Sequence, residues 1–148
     1  MNLDLSNKKV IITGGSTGIG KEVVTLFATN GAKVAIFDVN DTEGIELTNQ
    51  LNKDGHEIRY WHVDVRDSNQ VSGGVMAAEQ WLEGVDILIN LAGILQGASI
   101  NIEEFPDEIW DSVVGINLTG SYLMVKHVSN YMIKQKKGVI ILTSSGAG

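Results

Sequence analysis

The residues with the clearest chemical potential stand near the start of the chain, in TGGSTGIG at 13–20. Gly14, Gly18 and Gly20 are spaced as G-xxx-G-x-G. In such a turn the first glycine allows the tight exit from a strand and the second lets backbone approach a diphosphate. The third lets a helix pack closely on a sheet. Ser16, Thr17 and Ile19 complete the turn, and the unbonded N–H groups of the first helical turn would hold phosphate oxygens. A glycine-rich turn alone is equally an ordinary loop, so its position decides: an apolar run precedes it and a helical period follows. Asp38 then falls 18 residues after Gly20, at the end of a second apolar run. A carboxylate there accepts from both hydroxyls of an adenosine ribose and repels a 2′-phosphate. Neither Thr17 nor Val39 brings a cation to offset that repulsion, so the pattern predicts NAD in preference to NADP. No Gly-Lys-Ser/Thr follows the turn, which excludes a P-loop.

Further polar residues sit at the tips of apolar runs. Asp64, followed by Val65, ends a third run, where its carboxylate could take an adenine amino group or cap the next helix. Asn90 lies inside an apolar strand, so its amide needs partners, either across neighbouring strands or on a ribose. Ala92 and Gly93 are small, as suits backbone passing close under a ligand. Asn117 lies within a long helical stretch, where asparagine competes with the backbone for hydrogen bonds. The run 139–142 delivers Thr143, Ser144 and Ser145 to its end. Tyr122 and Lys126 have the four-residue spacing of an acid–base pair, but on that same helix they read as surface residues. His56, His62 and His127 share no metal-ligand spacing on one face, so no metal site is expected. Trp61, Trp81 and Trp110 read as core or interface packing.

These residues need elements to position them. Strands are expected at 8–14, 32–39, 56–65, 85–93 and 138–144, where β-branched residues concentrate. Helical periods cover 19–31, closed by Asn30-Gly31, then 41–53, 67–82 and a long stretch at 106–136. Strands alternating with helices imply parallel pairing, each helix being the crossover back to the sheet. The right-handed crossover rule leaves a doubly wound sheet ordered 3-2-1-4-5, one domain over 1–148.

The balance of 43% hydrophobic and 20% charged residues suits a globular fold. No apolar run reaches the roughly 18 residues of a membrane span. MNLDLSNKK lacks the layout of a signal peptide, and the absence of cysteine fits a cytoplasmic location. A net charge of −7 disfavours a nucleic-acid partner. Lys134, Lys136 and Lys137 read as the cationic end of the long helix. That helix carries Val113, Leu118, Met124, Val125, Val128 and Met132 on more than one face, which points to a partner subunit.

Taken in order, TGGSTGIG, DV at 64–65, NLAG at 90–93, IN at 116–117 and SS at 144–145 resemble the short-chain dehydrogenase/reductase family. Leu91 departs from that family's pattern, which has a second asparagine there. The resemblance implies a Rossmann-like domain binding NAD through Gly14, Ser16, Thr17, Gly18, Ile19, Gly20, Asp38, Asp64, Val65, Asn90, Ala92 and Gly93. It implies hydride transfer between NAD(H) and a small-molecule alcohol or ketone, in a homo-oligomer. Ser145, with Ser144 as alternative, matches the catalytic serine. Asn117 matches the active-site asparagine, which marks a helix irregularity in the family. The family's acid–base tyrosine and its lysine would follow the serine, so the later strands and that pair are expected beyond these 148 residues and the chain alone is expected to be inactive. Two other readings stay open: a module that binds NAD without chemistry, and a methyltransferase on a related sheet.

Overall fold

The computed structural model describes residues 3–145. Its centre is a parallel sheet of β1 (Lys9–Thr13), β2 (Lys33–Asp38), β3 (Ile58–His62), β4 (Ile87–Asn90) and β5 (Val139–Leu142), in the order β3-β2-β1-β4-β5. This is the doubly wound order expected from the alternation of elements. The crossovers are α1 (Gly18–Thr29), α2 (Asp41–Lys53), α3 (Ser68–Leu82) and the paired α4 (Asp107–Val114) and α5 (Ser121–Gln135).

Side chains alternate across each strand, so neighbouring residues feed opposite cores. Val10, Ile12, Val34 and Ile36 pack with Val24, Leu47 and Leu51 beneath α1 and α2. Ile11, Phe37 and Leu88 pack with Val71, Val75, Met124 and Val128 beneath α3 and α5. Both faces of the central strands are covered, which is why they read as continuous apolar runs. Register places Thr13 beside Phe37 on one side and Asn90 on the other. Asp38 pairs with His62, and Asn90 with Leu142. Because every strand runs the same way, the chemistry-bearing residues collect at one edge of the sheet.

Within the helical stretch 106–136, Gly115–Gly120 between α4 and α5 winds as a π-helix, placing Asn117 inside an irregular turn, as the family resemblance implies. Of the apolar residues read on more than one face, Met124, Val128 and Met132 are core and Leu118 is exposed; Trp110, Tyr122 and Ile133 are exposed as well. The lysine cluster is also split: Lys134 occupies the last turn of α5, Lys136 is the left-handed cap, and Lys137 pairs with Asp86 at 2.8 Å.

Trp61 stands edge-on between Phe37 and Trp81, at 6.1 and 5.6 Å between ring centroids, so both tryptophans are packing residues. Val139, Ile141 and Leu142 of β5 are exposed. Among the described residues no helix is long and apolar enough to cross a membrane, and no group of histidines or carboxylates could hold a metal.

Candidate functional site

A cleft of about 400 Å³ opens at the carboxyl ends of the strands. Gly14, Thr17, Ile19 and Gly20 form its floor, Asp38, Asp64 and Val65 one end, and Ala92 and Gly93 the other. Ser16, Gly18, Asn90, Asn117 and Ser145 do not line it. Their places explain what each does instead.

The glycine-rich turn is built by close approach. Gly14 has φ +65°, donates its N–H to Phe37 O at 2.8 Å, and would press a Cβ within 3.0 Å of the Ala92 backbone. A Cβ at Gly20 would stand only 1.8 Å from Gly14 O, so the first turn of α1 lies directly on the turn that precedes it. Gly18, at φ +52°, faces open space where a side chain would otherwise project. Thr17 is the N-cap of α1 but makes no side-chain cap hydrogen bond. The first amides of α1 are therefore left without a side-chain acceptor, beside an open glycine. This fits a diphosphate.

Ser16 sits behind the cleft wall, 2% exposed. Its N–H donates to Asp38 Oδ2 at 2.9 Å. The Val39 and Asn40 amides donate to Asp38 Oδ1 at 2.8 and 3.1 Å. Asp38 thus braces the glycine-rich turn against the β2–α2 turn while facing the cleft. Beside it, Tyr60 donates to Asp38 O and to Asp41 Oδ1, and His62 Nδ1 lies 2.7 Å from the same Asp41 oxygen. Burial, with Asp41 close by, pushes the Tyr60 phenol well above its ordinary range. The hydrogen bonds from Tyr60 and His62 hold the Asp41 carboxyl below its own.

Asn90 ties strands together. Its Oδ1 accepts from Thr13 Oγ1 at 2.9 Å, and its Nδ2 donates to Ser121 Oγ at 2.9 Å. Thr13 Oγ1 also accepts from the Leu91 and Ala92 amides at 3.1 Å each. Ser121 Oγ donates to Asn117 O at 2.7 Å. One polar chain therefore runs from the glycine-rich turn through β4 to the π-helical turn. The Asn117 side chain is spent on the loop after β4, accepting from Ile94 N and donating to Ile94 O at 2.9 Å each. Gly120 brings that turn close, since a Cβ there would stand 2.6 Å from Val65 Cγ2.

Asp64 does not cap α3. That role falls to Asp67, whose Oδ1 accepts from Asn69 N and Gln70 N at 2.8 and 3.2 Å. Asp64 instead pairs with Arg66, Nη2 to Oδ2 at 2.6 Å, and this partner lowers its pKa against the cost of burial. Sequence reasoning missed Arg66, together with Phe37, Leu91, Ile94 and Ile116 of the lining. An arginine two residues after a strand-end aspartate was the available signal. At the far end Thr143 reaches the cleft, while Ser144 and Ser145 are exposed just past β5. Tyr122 and Lys126 lie elsewhere, the ammonium 5.6 Å from the ring centroid on the outer surface of α5.

The family model for the short chain dehydrogenases matches residues 8–148. The chain belongs to that family, and the methyltransferase reading falls away. It is 42% identical over 141 residues to (+)-borneol dehydrogenase 1 of Salvia officinalis, covering 95% of this chain and 53% of that protein. It is 37% identical over 145 residues to a 3-oxoacyl-acyl-carrier-protein reductase of Chlamydia pneumoniae, covering 98% and 58%. A short-chain type dehydrogenase/reductase from Mycobacterium marinum superposes with a TM-score of 0.89 at 31% identity, over 96% of this chain and 57% of that one. The chain thus spans about half the length of the curated relatives it matches. Oxidoreductases of this family use nicotinamide cofactors.

Proposed function

We propose that the chain is the cofactor-binding half of an NAD-dependent oxidoreductase that moves a hydride between NAD(H) and a small alcohol or ketone. Bound NAD would supply the hydride acceptor. The residues present contribute binding and orientation: the α1 amides and Gly18 at the diphosphate, Asp38 at the adenosine ribose, and Ala92 and Gly93 under the remainder. The observation that carries NAD over NADP is the Asp38 carboxylate at the cleft, held by three amide donors. A 2′-phosphate there would meet a fixed negative charge. The cleft does contain one guanidinium, Arg66, but its charge is paired with Asp64.

Ser145 is proposed to hydrogen-bond the substrate oxygen, since a hydroxyl can donate to a carbonyl or accept from an alcohol. Asn117 is proposed to act by holding the π-helical turn and the Ile94 loop. In the full sequence only Tyr122 has a lysine four residues on, and that pair faces away from the cleft. The 148 residues alone are therefore proposed to bind cofactor without turnover. Trp110, Leu118, Tyr122 and Ile133 on the outer surface of the long helix support a homo-oligomer.

The test has two arms. Calorimetric titration is expected to give NAD at least about tenfold tighter than NADP, about 1.4 kcal/mol; equal affinities would remove the role given to Asp38. In the full-length protein, NADH absorbance is expected to rise with at least one of a panel of secondary alcohols. No turnover with bound NAD would favour a non-catalytic binding module.

A further inference from the structure

The edge strand β3 carries a side-chain cluster that cofactor binding by itself does not explain. Register sets Tyr60 beside Ile36 and His62 beside Asp38, so the two side chains share one face of the sheet. Both reach Asp41, the first residue of α2: Tyr60 Oη and His62 Nδ1 each lie 2.7 Å from Asp41 Oδ1. Asn40, the N-cap of α2, makes no side-chain cap bond, so the side-chain tie from the start of this helix runs to β3 instead. The single phenolic proton of Tyr60 also has Asp38 O within 2.9 Å. The hydroxyl therefore bridges residues 38 and 41. Burial, and after it the Asp41 charge, push the phenol above its ordinary range, so it stays protonated through neutral pH.

The Tyr60 ring is held from a second side. A Cβ at Gly44 would stand 2.4 Å from ring carbons Cδ2 and Cε2, and 2.8 Å from Ser16 Oγ. Ring and serine thus meet over the bare backbone of α2, which leaves the hydroxyl little freedom to move. The two residues spanned by the bridge, Val39 and Asn40, are the ones whose amides hold Asp38 Oδ1 at 2.8 and 3.1 Å. Ser16 N holds Oδ2 from the glycine-rich turn. A clamp across residues 38 and 41 therefore fixes the amides that aim the carboxylate.

We propose that Tyr60 is a positioning residue for cofactor selection: its hydroxyl clamps residues 38 and 41 and thereby aims the Asp38 carboxylate at the adenosine ribose. This rests on the NAD reading above. Asp38 discriminates by direction as well as by charge. Held in place, it accepts from the ribose hydroxyls and opposes a 2′-phosphate; released, it turns toward solvent and does less of both. The ring supplies packing on α2, and the hydroxyl supplies selection.

The deciding experiment is calorimetry on the full-length protein with NAD, NADP and nicotinamide mononucleotide as probes. Tyr60→Phe keeps the ring over Gly44 and removes only the hydroxyl. NAD is expected to bind about fivefold more weakly to this variant, the worth of one hydrogen bond, while NADP changes by less than about twofold. The preference for NAD then falls by at least about threefold. Nicotinamide mononucleotide, which lacks the adenosine, is expected to bind as it does to wild type, and this also reports that the variant is folded. A hydroxyl with a merely structural role would weaken NAD and NADP alike. In an Asp41→Ala background the clamp is already open, so adding Tyr60→Phe is expected to shift the preference by less than about twofold; comparing the two backgrounds cancels the effect of the Asp41 charge itself. Tyr60→Phe with the wild-type preference would overturn the proposal. So would equal weakening of both dinucleotides, or the full effect persisting without Asp41. A wild type that itself shows no preference for NAD would instead overturn the role given to Asp38, and this assignment with it.

Discussion

Thr13 offers the sharpest test of how the site is held. Its hydroxyl is fully buried and touches three groups: it donates to Asn90 Oδ1 and accepts from the Leu91 and Ala92 amides. Thr13→Val keeps the shape and removes the hydroxyl. The three groups do not suffer equally. Leu91 N has a second acceptor, Thr13 O at 3.3 Å, and keeps it. Ala92 N and Asn90 Oδ1 lose the partner described here. Each stranded group costs about 1–3 kcal/mol, so the two together are expected to cost roughly 2–6 kcal/mol, toward the lower end because Ala92 N is only part-buried, against a stability of about 5–15. Urea unfolding of the full-length protein should show it as a lower midpoint at unchanged slope. Thr13→Ser keeps the hydroxyl and gives up one methyl, so it should lose only about 1 kcal/mol. NAD affinity should fall with Thr13→Val more than with Thr13→Ser, because the amides released carry the backbone under the cleft. The reasoning is refuted if valine costs under about 0.5 kcal/mol, or if serine costs as much as valine.

Two further outcomes follow from the same geometry. Gly20→Ala places a Cβ 1.8 Å from Gly14 O, backbone that cannot rotate away, so α1 must lift from the turn; a loss of about 3 kcal/mol and undetectable NAD binding are expected, and wild-type affinity by calorimetry would contradict the packing described. Asp86 pairs with Lys137 and accepts from Lys9 N; burial opposes its ionised form, but these partners outweigh burial and lower its pKa. Its contribution is therefore full above the ordinary aspartate pKa of about 3.9 and is lost as pH falls through the lower folded value. Urea midpoints measured from pH 6 to pH 2 should show wild type and Lys137→Met converging at the acid end, from a gap of no more than about 1 kcal/mol because Lys137 is largely exposed. A gap that widens on acidification would reverse the sign argued.

Most of the sheet was legible because burial on both faces writes itself as β-branched runs, and short polar connections separate them. The second helix lies at Asp41–Lys53, as its period predicts. The third strand is shorter than its apolar run, ending at His62 rather than 65, because β2 offers no partner past Asp38. The π-helical turn could not be read from period, since it shifts the helical face by a single residue. Its only traces are Asn117 between Gly115 and Gly120, small residues where the helix meets Val65 and Arg66. Thr13 and Ser121 escaped as organisers because their partners are distant in sequence, 77 residues separating Thr13 from Asn90 and 31 separating Asn90 from Ser121.

That long-range chain changes what the site residues mean. Asn90 was read from sequence as either a tie between strands or a ribose contact, and Asn117 as an active-site residue; the side chains bond Thr13 and Ser121 for the one and Ile94 for the other. A π-helical turn is costly, because it strands a carbonyl from its usual donor, and it persists only where neighbours over-determine it. Here the Ser121 hydroxyl supplies a donor to Asn117 O, and the Asn117 amide fixes the Ile94 backbone beside the cleft. The same turn, through Gly115 and Gly120, seats Arg66 and Val65 at the opposite end. One irregular turn thus sets the position of both ends of the cleft, so a straight α-helix over 107–135 would move the Ile94 loop and the Arg66 side chain together.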